Sequence, residues 1–251
     1  MQMKKTIWMI ATILTLSSTI SAQQVAPSDQ LTMYFEADDL PNAVVWLPAP
    51  PDTTSTQFLY DITQYMWGKE QRYINKERAK QALDNATTDV AEMAQQFSGA
   101  FGMEITPEKT PAIFKVLYRG VLTCRLSATK PKNTYMRKRP YVRFSEPTLL
   151  PQEEEELRAH GSYPSGHTVR GWAMALLLCE INPEAQDSLL ALGYQWGMSR
   201  VIAGYHWQSD VDASFLLTSG CYARLHTSPE FLADMAAARA EYAKKHRMNT
   251  N

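Results

Sequence analysis

The sequence predicts an all-α fold in one helical domain, and three observations lead to that prediction. No stretch sustains the alternation of apolar and polar residues that indicates a half-buried strand. Helix start and stop signals recur along the chain, and the apolar residues between them have helical spacing. A length of 251 residues with 45% hydrophobic content suits one domain with a sizeable core. We expect a bundle of roughly eight to ten helices.

The first 22 residues have the pattern of a cleavable secretory signal peptide. Lys4 and Lys5 form a positive start, and residues 7–16 are mostly apolar. Small residues then lead to a predicted cut after Ala22. The apolar run is shorter than the ~20 residues that span a bilayer, which disfavours the alternative of a membrane anchor. We therefore predict a periplasmic or secreted protein with no membrane association after signal cleavage.

Charge and cysteine content limit the classes of partner. The chain has 25 Lys and Arg against 26 Asp and Glu, whereas nucleic-acid-binding domains usually carry a basic patch, so no nucleic acid polymer is expected. Cys124, Cys179 and Cys221 lie in helix-like apolar stretches without metal-ligand spacing. Export permits one disulfide among them, and the spacing leaves open which pair forms it or whether all stay thiols.

The first half of the chain is predicted as an arm followed by four helical segments. The Pro-rich arm, residues 23–52, is expected to be extended and either to wrap the helical domain of residues 53–251 or to meet a partner chain. The segments are a helix after Thr53–Thr56, a charged helix over 70–83, one over 89–101 ended by Gly102, and one from Thr106 to about Ala128. Their predicted buried faces are Phe58, Ile62, Tyr65 and Met66 in the first, and Ile113, Val116, Leu117, Gly120, Val121 and Cys124 in the last.

The second half is predicted as a loop region followed by four helices. Pro131 is expected to end the preceding helix and to leave Lys132 in a loop that Pro140 closes. Residues 141–160 are expected to be irregular, with the acidic run 153–156 on the surface. The helices are one after Ser165 that buries Trp172, Ala175, Leu176 and Cys179, one over 183–201 that buries Leu189, Leu190, Leu192 and Trp196, one from His206 to about Leu225 after an interruption at Gly204, and a last one from Ser228.

Residues 161–168 form the most informative stretch, Gly-Ser-Tyr-Pro-Ser-Gly-His-Thr, and an apolar helical pattern follows it. Pro164 stops any preceding regular structure, and Ser165 is a good helix N-cap. The first N–H groups of a helix lack internal partners and carry partial positive charge. Ser165, Gly166 and His167 at such a position therefore make a ready anion site. Taken alone, the stretch fits a plain helix cap equally well.

Two further stretches favour the anion site. One is Lys132 with Arg139, and the other is Arg200 followed by His206 and Asp210. Lys132, Arg139 and Arg200 supply fixed positive charges of the kind that hold a phosphate dianion. On one helix, His206 and Asp210 share a face, because they are four residues apart. The carboxylate would then orient the imidazole and leave its other nitrogen free as a nucleophile.

In order, the chain carries Lys-x6-Arg-Pro, Pro-Ser-Gly-His and Ser-Arg-x5-His-x3-Asp. This set resembles the phosphatidic acid phosphatase type 2 (PAP2) and vanadium haloperoxidase superfamily, and residues 161–168 resemble the signature of its bacterial class A non-specific acid phosphatases. The stretch Tyr135-Met136-Arg137 is also similar. The resemblance implies the helical bundle of that superfamily and assigns the site residues. They are His206 as nucleophile, His167 as general acid and base, Asp210 as the carboxylate that orients His206, and Lys132, Arg139, Ser165, Gly166 and Arg200 as phosphate ligands.

The resemblance implies a metal-independent acid phosphatase without a cofactor. Small phosphate monoesters of broad type would be hydrolysed through in-line attack by His206, a phosphohistidine, and proton transfer by His167. Phosphate transfer to alcohols and assembly into a homodimer or larger oligomer are also expected from the family.

Four alternatives remain at this stage. The same anion site suits a vanadate-dependent haloperoxidase, and a secreted phosphate-binding protein without catalysis would need no nucleophile. The residue types also allow a metal site formed by His160, His167, His206 and Asp210. A serine hydrolase is disfavoured, because Ser165 lacks the Gly-x-Ser-x-Gly turn and a preceding strand.

Overall fold

The computed structural model describes residues 31–250, so the predicted signal peptide and the first part of the Pro-rich arm lie outside the described residues. Within 31–250 the chain is all-α as predicted, with no strand. The helices are α1 (Ala43–Trp46), α2 (Thr56–Ile74), α3 (Lys76–Asp84), α4 (Val90–Phe101), α5 (Pro111–Leu126), α6 (Thr129–Tyr135), α7 (Pro140–Phe144), α8 (Glu154–Arg158), α9 (Gly166–Ile181), α10 (Gln186–Ala203), α11 (Gln208–Leu225) and α12 (Pro229–Thr250). Short 3-10 turns occupy Ala37–Asp39, Pro151–Glu153 and Pro183–Ala185. None of the described helices is long and apolar enough to cross a membrane.

Helices α9 and α10 form the centre of the bundle, and α9 also packs against α5 and α11. Two glycines let α9 and α10 approach closely. An alanine at Gly171 would place its Cβ 2.4 Å from Cγ of Trp196, and one at Gly193 would place it 2.6 Å from Cβ of Ala175. Both helices present buried residues on several sides, as expected for helices inside a bundle.

The described part of the arm, residues 31–52, packs against α5 and α12. The backbone N–H of Tyr34 donates to Oγ1 of Thr123 at 3.0 Å, and its hydroxyl donates to Asp234 at 2.9 Å. The guanidinium of Arg119 lies 4.0 Å above the Tyr34 ring and pairs with Asp234 at 2.8 Å. The segment is less irregular than expected, since it contains the single turn α1.

Several predicted helix ends are confirmed. Ser55 caps α2 by accepting from the N–H of Phe58 at 3.2 Å, and Asp89 caps α4 by accepting from the N–H of Ala91 at 2.7 Å. Gly102 ends α4 in the left-handed region, with a φ of 80°, which a glycine adopts without strain.

Two helix boundaries in the first half were predicted wrongly. The helix expected from Thr106 begins at Pro111, because residues 106–110 close a turn in which Thr110 N–H bonds the carbonyl of Thr106 at 2.9 Å. Proline is favoured at the first helical position, so Pro111 is a second start signal and the helix begins there. The charged run 70–83 is split at Asn75, whose side chain caps α3 by accepting from Arg78 N–H at 3.0 Å.

The expected loop at Lys132 and the expected irregular stretch 141–160 were also wrong. Lys132 lies on α6, because Pro131 occupies the first turn, where a helix has no use for the missing N–H. Pro140 and Pro151 each begin a short helical element within the second stretch. Glu154 is half-buried and accepts from the N–H of Thr148 at 2.7 Å, so the acidic run is only partly solvated.

Some buried faces differ from the prediction. Met66 is 56% exposed, although its helical partners Phe58 and Tyr65 are buried. The following residues expected inside are half-buried: Trp172, Leu176, Cys179, Leu190 and Leu192. The reason is that α9 is apolar around most of its circumference, so periodicity alone does not identify its most buried side.

Candidate active site

The N-terminus of α9 is fixed to α11 through Ser165, which is fully buried. Oγ of Ser165 accepts from the N–H of Thr168 at 3.3 Å, which is the predicted N-cap. The backbone N–H of Ser165 donates to the carbonyl of Asp210 at 3.1 Å, and Ser214 Oγ donates to the carbonyl of Ser165 at 3.0 Å. The first turn of α9, with Gly166 and His167, is therefore held beside Asp210.

The loop between α10 and α11 delivers His206. Gly204 ends α10 in the left-handed region, with a φ of 88°, and the N–H groups of Tyr205 and His206 then bond the carbonyl of Arg200 at 3.1 and 3.3 Å. His206 was expected to begin the next helix, but it precedes Trp207, the N-cap of α11. The loop thus places the side chains of Arg200 and His206 in one region.

Asp210 reaches His206 through helix capping and not through a shared helix face. Oδ2 of Asp210 accepts from the N–H of Trp207 at 2.9 Å and lies 3.3 Å from Nδ1 of His206. The predicted pairing of the two side chains is therefore present, and its geometry differs from the one expected. The carboxylate is fully buried.

His206 is held as a neutral imidazole with a defined tautomer. Its Nε2 lies 3.2 Å from Nη1 of Arg139, and a guanidinium can only donate. Nε2 therefore carries the lone pair, and Nδ1 carries the proton that faces Asp210. Burial, followed by the charges of Arg139, Lys132 and Arg200, keeps the pKa of His206 well below its ordinary value.

Arg139 and Lys132 bracket the loop before α9. Nε of Arg139 donates to the carbonyls of Leu157 at 2.9 Å and His160 at 3.2 Å. Nη2 of Arg139 donates to the carbonyl of Gly161 at 3.4 Å, which also accepts from Nζ of Lys132 at 2.9 Å. Burial and the charges of Arg139 and Arg125 hold the pKa of Lys132 well below its ordinary value.

Arg200 is the clearest sign of an anion site. Its side chain is completely buried, yet none of its three guanidinium nitrogens has a hydrogen-bond partner among residues 31–250. The guanidinium lies 4.7 Å above the ring of Tyr205. Burial lowers the pKa of Arg200 to about 10. An unpaired buried charge is costly unless a ligand of opposite charge satisfies it.

His167 has the opposite tautomer from His206. Its Nε2 lies 2.8 Å from the carbonyl of Ala86, which can only accept, so Nε2 carries the proton and Nδ1 is the free nitrogen. Burial, then the charges of Arg200 and Arg170, hold the pKa of His167 well below its ordinary value, and His206 adds to this effect. Both imidazoles therefore lie within the electrostatic reach of Arg200.

A cavity of about 360 Å³ opens at the outer side of this cluster. Its lining residues are Arg125, Thr129, Lys132, Asn133, Arg139, Glu156, Leu157, His160 and Gly161. The cavity gives a ligand access to the two cations of the first motif.

The sequence did not reveal the ion-pair network behind Asp210. Arg137 donates to Oδ1 of Asp210 at 2.5 Å and to Oδ2 of Asp61 at 2.6 Å. Asp61, on α2, also accepts from the N–H of Ser209 at 2.8 Å. The family-like stretch that contains Arg137 was the available signal for this arginine, whereas Asp61 is distant in the sequence and had none.

Two alternatives from the sequence find no support in the described part of the chain. It contains no group of three or more His, Cys, Asp or Glu side chains arranged to hold a metal ion. Among residues 31–164 no strand precedes Ser165, whose hydroxyl serves as a helix cap. The three cysteines are free thiols, of which Cys124 and Cys221 are buried.

A helical bundle that holds two histidines near Lys132, Arg139 and the unpaired, buried Arg200 is suited to binding a phosphate group. Comparison of sequences agrees with that class of protein. Residues 112–230 match the PAP2 superfamily. The chain is 43% identical to the non-specific acid phosphatase of Providencia stuartii over 212 residues, which cover 84% of this chain and 85% of that protein. It is 36% identical to the non-specific acid phosphatase of Salmonella typhimurium over 230 residues, which cover 91% and 88%. It is 31% identical to the acid phosphatase of Zymomonas mobilis over 229 residues, which cover 91% and 84%. The chain belongs to the PAP2 superfamily.

Proposed function

We propose that this protein is a metal-independent acid phosphatase that hydrolyses small phosphate monoesters through a phosphohistidine on His206. Family membership and the acid phosphatases among its relatives support the reaction class. The observation that carries the mechanism is the position of the His206 ring, whose Nε2 lies 3.2 Å from Nη1 of Arg139 and whose Nδ1 lies 3.3 Å from Oδ2 of Asp210.

The cations bind the phosphoryl group. Arg200 has three unpaired N–H-bearing nitrogens, and Lys132 and Arg139 each have donors beyond the carbonyls that they now contact. The backbone N–H groups of Gly166 and His167 at the start of α9 add a positive helix terminus, and the hydroxyl of Ser165 can donate. A dianion in this position counters the repulsion between Lys132 and Arg139 and so favours the charged form of Lys132.

His206 attacks phosphorus in the first step. Nη1 of Arg139 moves from Nε2 of His206 to a phosphate oxygen, which frees the lone pair for in-line attack. A bond forms between Nε2 and phosphorus as the bond to the ester oxygen breaks. The imidazole becomes positively charged, and the carboxylate of Asp210 stabilises that charge through Nδ1.

His167 moves the protons. Because Nε2–H of His167 donates to the carbonyl of Ala86, Nδ1–H is the group that protonates the leaving oxygen. Burial and Arg200 disfavour the protonated imidazole, and the charge of the bound dianion opposes them, so substrate binding activates the acid. In the second step Nδ1 accepts a proton from water, which attacks the phosphohistidine. An alcohol in place of water gives transphosphorylation.

We further propose that the protein acts in the periplasm or as a secreted protein, and that it forms a homodimer or larger oligomer. The signal-peptide pattern of residues 1–22 supports the first point. Sequencing the N-terminus of the exported protein tests it, with Gln23 expected as the first residue. The mass of the purified protein in solution tests the second.

The central test is hydrolysis of an aryl phosphate at mildly acidic pH. We expect release of phosphate that EDTA leaves unchanged and vanadate inhibits. His206→Ala should lower kcat by at least about 10³-fold while phosphate binding persists. An alkaline quench of the wild type during turnover should trap phosphate on His206, as read by mass spectrometry. The matched control is His226→Gln, at the end of α11 away from Asp210 and beside Glu180, which should keep wild-type turnover.

Three outcomes would contradict the proposal. Turnover retained in His206→Ala would exclude this nucleophile. Loss of activity with EDTA would favour the metal site. Oxidation of bromide by added hydrogen peroxide, catalysed by the vanadate-loaded protein without phosphate release from esters, would favour the haloperoxidase.

A further inference from the structure

Two arginines beside the phosphate site have no part in the mechanism above. The side chains of Arg125 on α5 and Arg170 on α9 make no hydrogen bond or ion pair within residues 31–250, and Nε of each is buried without an acceptor. A buried guanidinium nitrogen that lacks an acceptor is costly and rare in native proteins. Both side chains therefore have unused capacity to bind an anion.

Both arginines lie beside the first turns of α9, which carry His167. An alanine at Gly166 would place its Cβ 2.7 Å from Nε of Arg125, so this guanidinium lies directly against the first residue of α9. Arg170 follows His167 by three residues on the same helix, which makes the two side chains neighbours. Arg170 is also one of the charges that lower the pKa of His167. Since His167 is the proton donor to the leaving oxygen, the two arginines flank the part of the substrate that departs.

The cavity connects Arg125 to the phosphate site. Arg125 lines the same cavity of about 360 Å³ as Lys132 and Arg139. Glu156, the carboxylate in that lining, is exposed at the surface and pairs with no cation in the lining. A ligand can therefore extend from the phosphate site past Arg125 without meeting a buried negative charge.

The charge balance indicates a ligand with more than one anionic group. Arg125 and Arg170 join Lys132, Arg139 and Arg200 to make five cations, while a phosphate monoester brings about two negative charges. Burial is the main cause that lowers the pKa of Lys132, Arg139 and Arg170, and the charge of Arg125 adds to it at each of them, so the repulsion extends across the whole cluster. Asp210 offsets part of this repulsion at Lys132 and Arg139, although its carboxylate also pairs with Arg137 and His206.

We propose that Arg125 and Arg170 form a second anion subsite, which binds a phosphate or carboxylate group on the leaving part of the substrate. The preferred substrates are then bisphosphates and phosphocarboxylates, and not phosphate esters of neutral alcohols. The proposal rests on the proposed function, because the axis from His206 to His167 defines the leaving side.

Binding of phosphonates tests the subsite without any turnover. We expect calorimetry on the wild type to show methylenediphosphonate binding about tenfold or more tighter than methylphosphonate. Arg125→Gln and Arg170→Gln should each remove about tenfold of that preference and change methylphosphonate affinity by less than about twofold. Arg125→Lys keeps a charge beside Gly166 and should retain most of the preference. The matched control is Arg158→Gln, an exposed arginine on α8 beside Glu155, which should bind both ligands as the wild type does.

Matched substrates then separate the two anionic groups. Fructose 1,6-bisphosphate against fructose 6-phosphate tests a second phosphate, and 3-phosphoglycerate against glycerol phosphate tests a carboxylate. We expect a lower KM for the doubly anionic member of at least one pair. Arg125→Gln and Arg170→Gln should raise that KM about tenfold and change the KM of the singly anionic member much less.

The possible outcomes separate a failure of the proposed anion subsite from a failure of the proposed phosphatase reaction. Equal affinity of the wild type for both phosphonates overturns the subsite, even if all substrates are hydrolysed. An equal loss for both phosphonates in Arg125→Gln and Arg170→Gln also overturns it, because the arginines would then support the first phosphate or the fold. Selective binding of the diphosphonate without hydrolysis of any substrate would instead contradict the acid phosphatase and leave the subsite standing.

Discussion

At the scale of single residues, the two histidines are prepared for different tasks by their acceptors and donors. A guanidinium that can only donate fixes the lone pair of His206 at Nε2, and a carbonyl that can only accept fixes the proton of His167 at Nε2. Burial, together with the surrounding cations, lowers the pKa of both imidazoles. For His206 this effect preserves the nucleophile at acidic pH, whereas His167 needs the charge of the substrate to become an acid.

The first prediction concerns Asp210. Asp210→Asn replaces the acceptor of Nδ1–H by a group that can also donate, and this disturbs the tautomer of His206 and removes its counter-charge. We expect kcat for an aryl phosphate to fall by roughly 10²–10⁴-fold. The matched variant is Asp61→Asn, which removes the other carboxylate on Arg137 and does not contact His206. Asp61→Asn should lower the melting temperature about as much as Asp210→Asn does, but it should reduce kcat much less. Equal kcat losses in both variants would show that Asp210 acts only through the stability of the ion-pair network.

At the scale of elements, the most extensive helix contact among residues 31–250 is between α9 and α10. The ring of Trp196 occupies the space that a side chain at position 171 would need, and Trp196 is fully buried. These helices also carry His167 and Arg200, so the same packing that forms the core sets the separation of site residues.

The second prediction uses one substitution at two glycines. Gly171→Ala would place a Cβ 2.4 Å from Cγ of Trp196 and 2.7 Å from its Cβ, atoms that cannot move without the helix. We expect the free energy of unfolding to fall by about 2–3 kcal/mol. Gly99→Ala on α4 meets no atom within 4 Å and should raise it by about 0.5–1 kcal/mol, because alanine loses less backbone entropy. Urea unfolding with unchanged m-values measures both. A neutral Gly171→Ala would mean that α9 and α10 separate easily.

The elements also show how far the sequence could predict the fold. Caps with a side-chain acceptor, such as Ser55 and Asp89, were read correctly because their signal is local. Lys132 was placed in a loop because Pro131 is a helix breaker in the interior but not in a first turn. The pair of His206 and Asp210 was found for the wrong geometric reason. Asp61 could not be found, because its contacts with Arg137 and Ser209 depend on tertiary packing alone.

At the scale of the whole molecule, a nearly neutral chain concentrates its unpaired positive charge in one place. The net charge is −1, yet Arg200 is buried at the centre of the bundle without a partner in the described chain. Such a charge costs folding free energy that an anion restores. The unpaired charge therefore lowers the stability of the free protein and raises its affinity for an anionic ligand.

The pH dependence of stability follows from the same site. His167 and His206 have folded-state pKa values below their unfolded value of about 6.5, so the unfolded chain binds more protons below that pH. Stability of the free protein should therefore fall as pH drops from about 7.5 to about 5. A bound dianion raises both pKa values, so sulfate, which stays a dianion across this range, should raise the melting temperature more at about pH 5 than at about pH 7.5. Potassium chloride at equal ionic strength is the control for screening.

Arg200→Met tests two effects of the buried charge of Arg200, which are the loss of folding stability and the binding of an anion. Methionine fills a similar volume without a charge, so the melting temperature in the absence of sulfate should rise. Replacing buried ionic groups by apolar residues often stabilises a protein by about 1–4 kcal/mol. The rise caused by sulfate should disappear, because the ligand loses the guanidinium whose three nitrogens are unpaired. Turnover should fall with it. If Arg200→Met instead lowers the melting temperature in chloride and keeps the sulfate effect, Arg200 is a structural residue and the anion binds elsewhere.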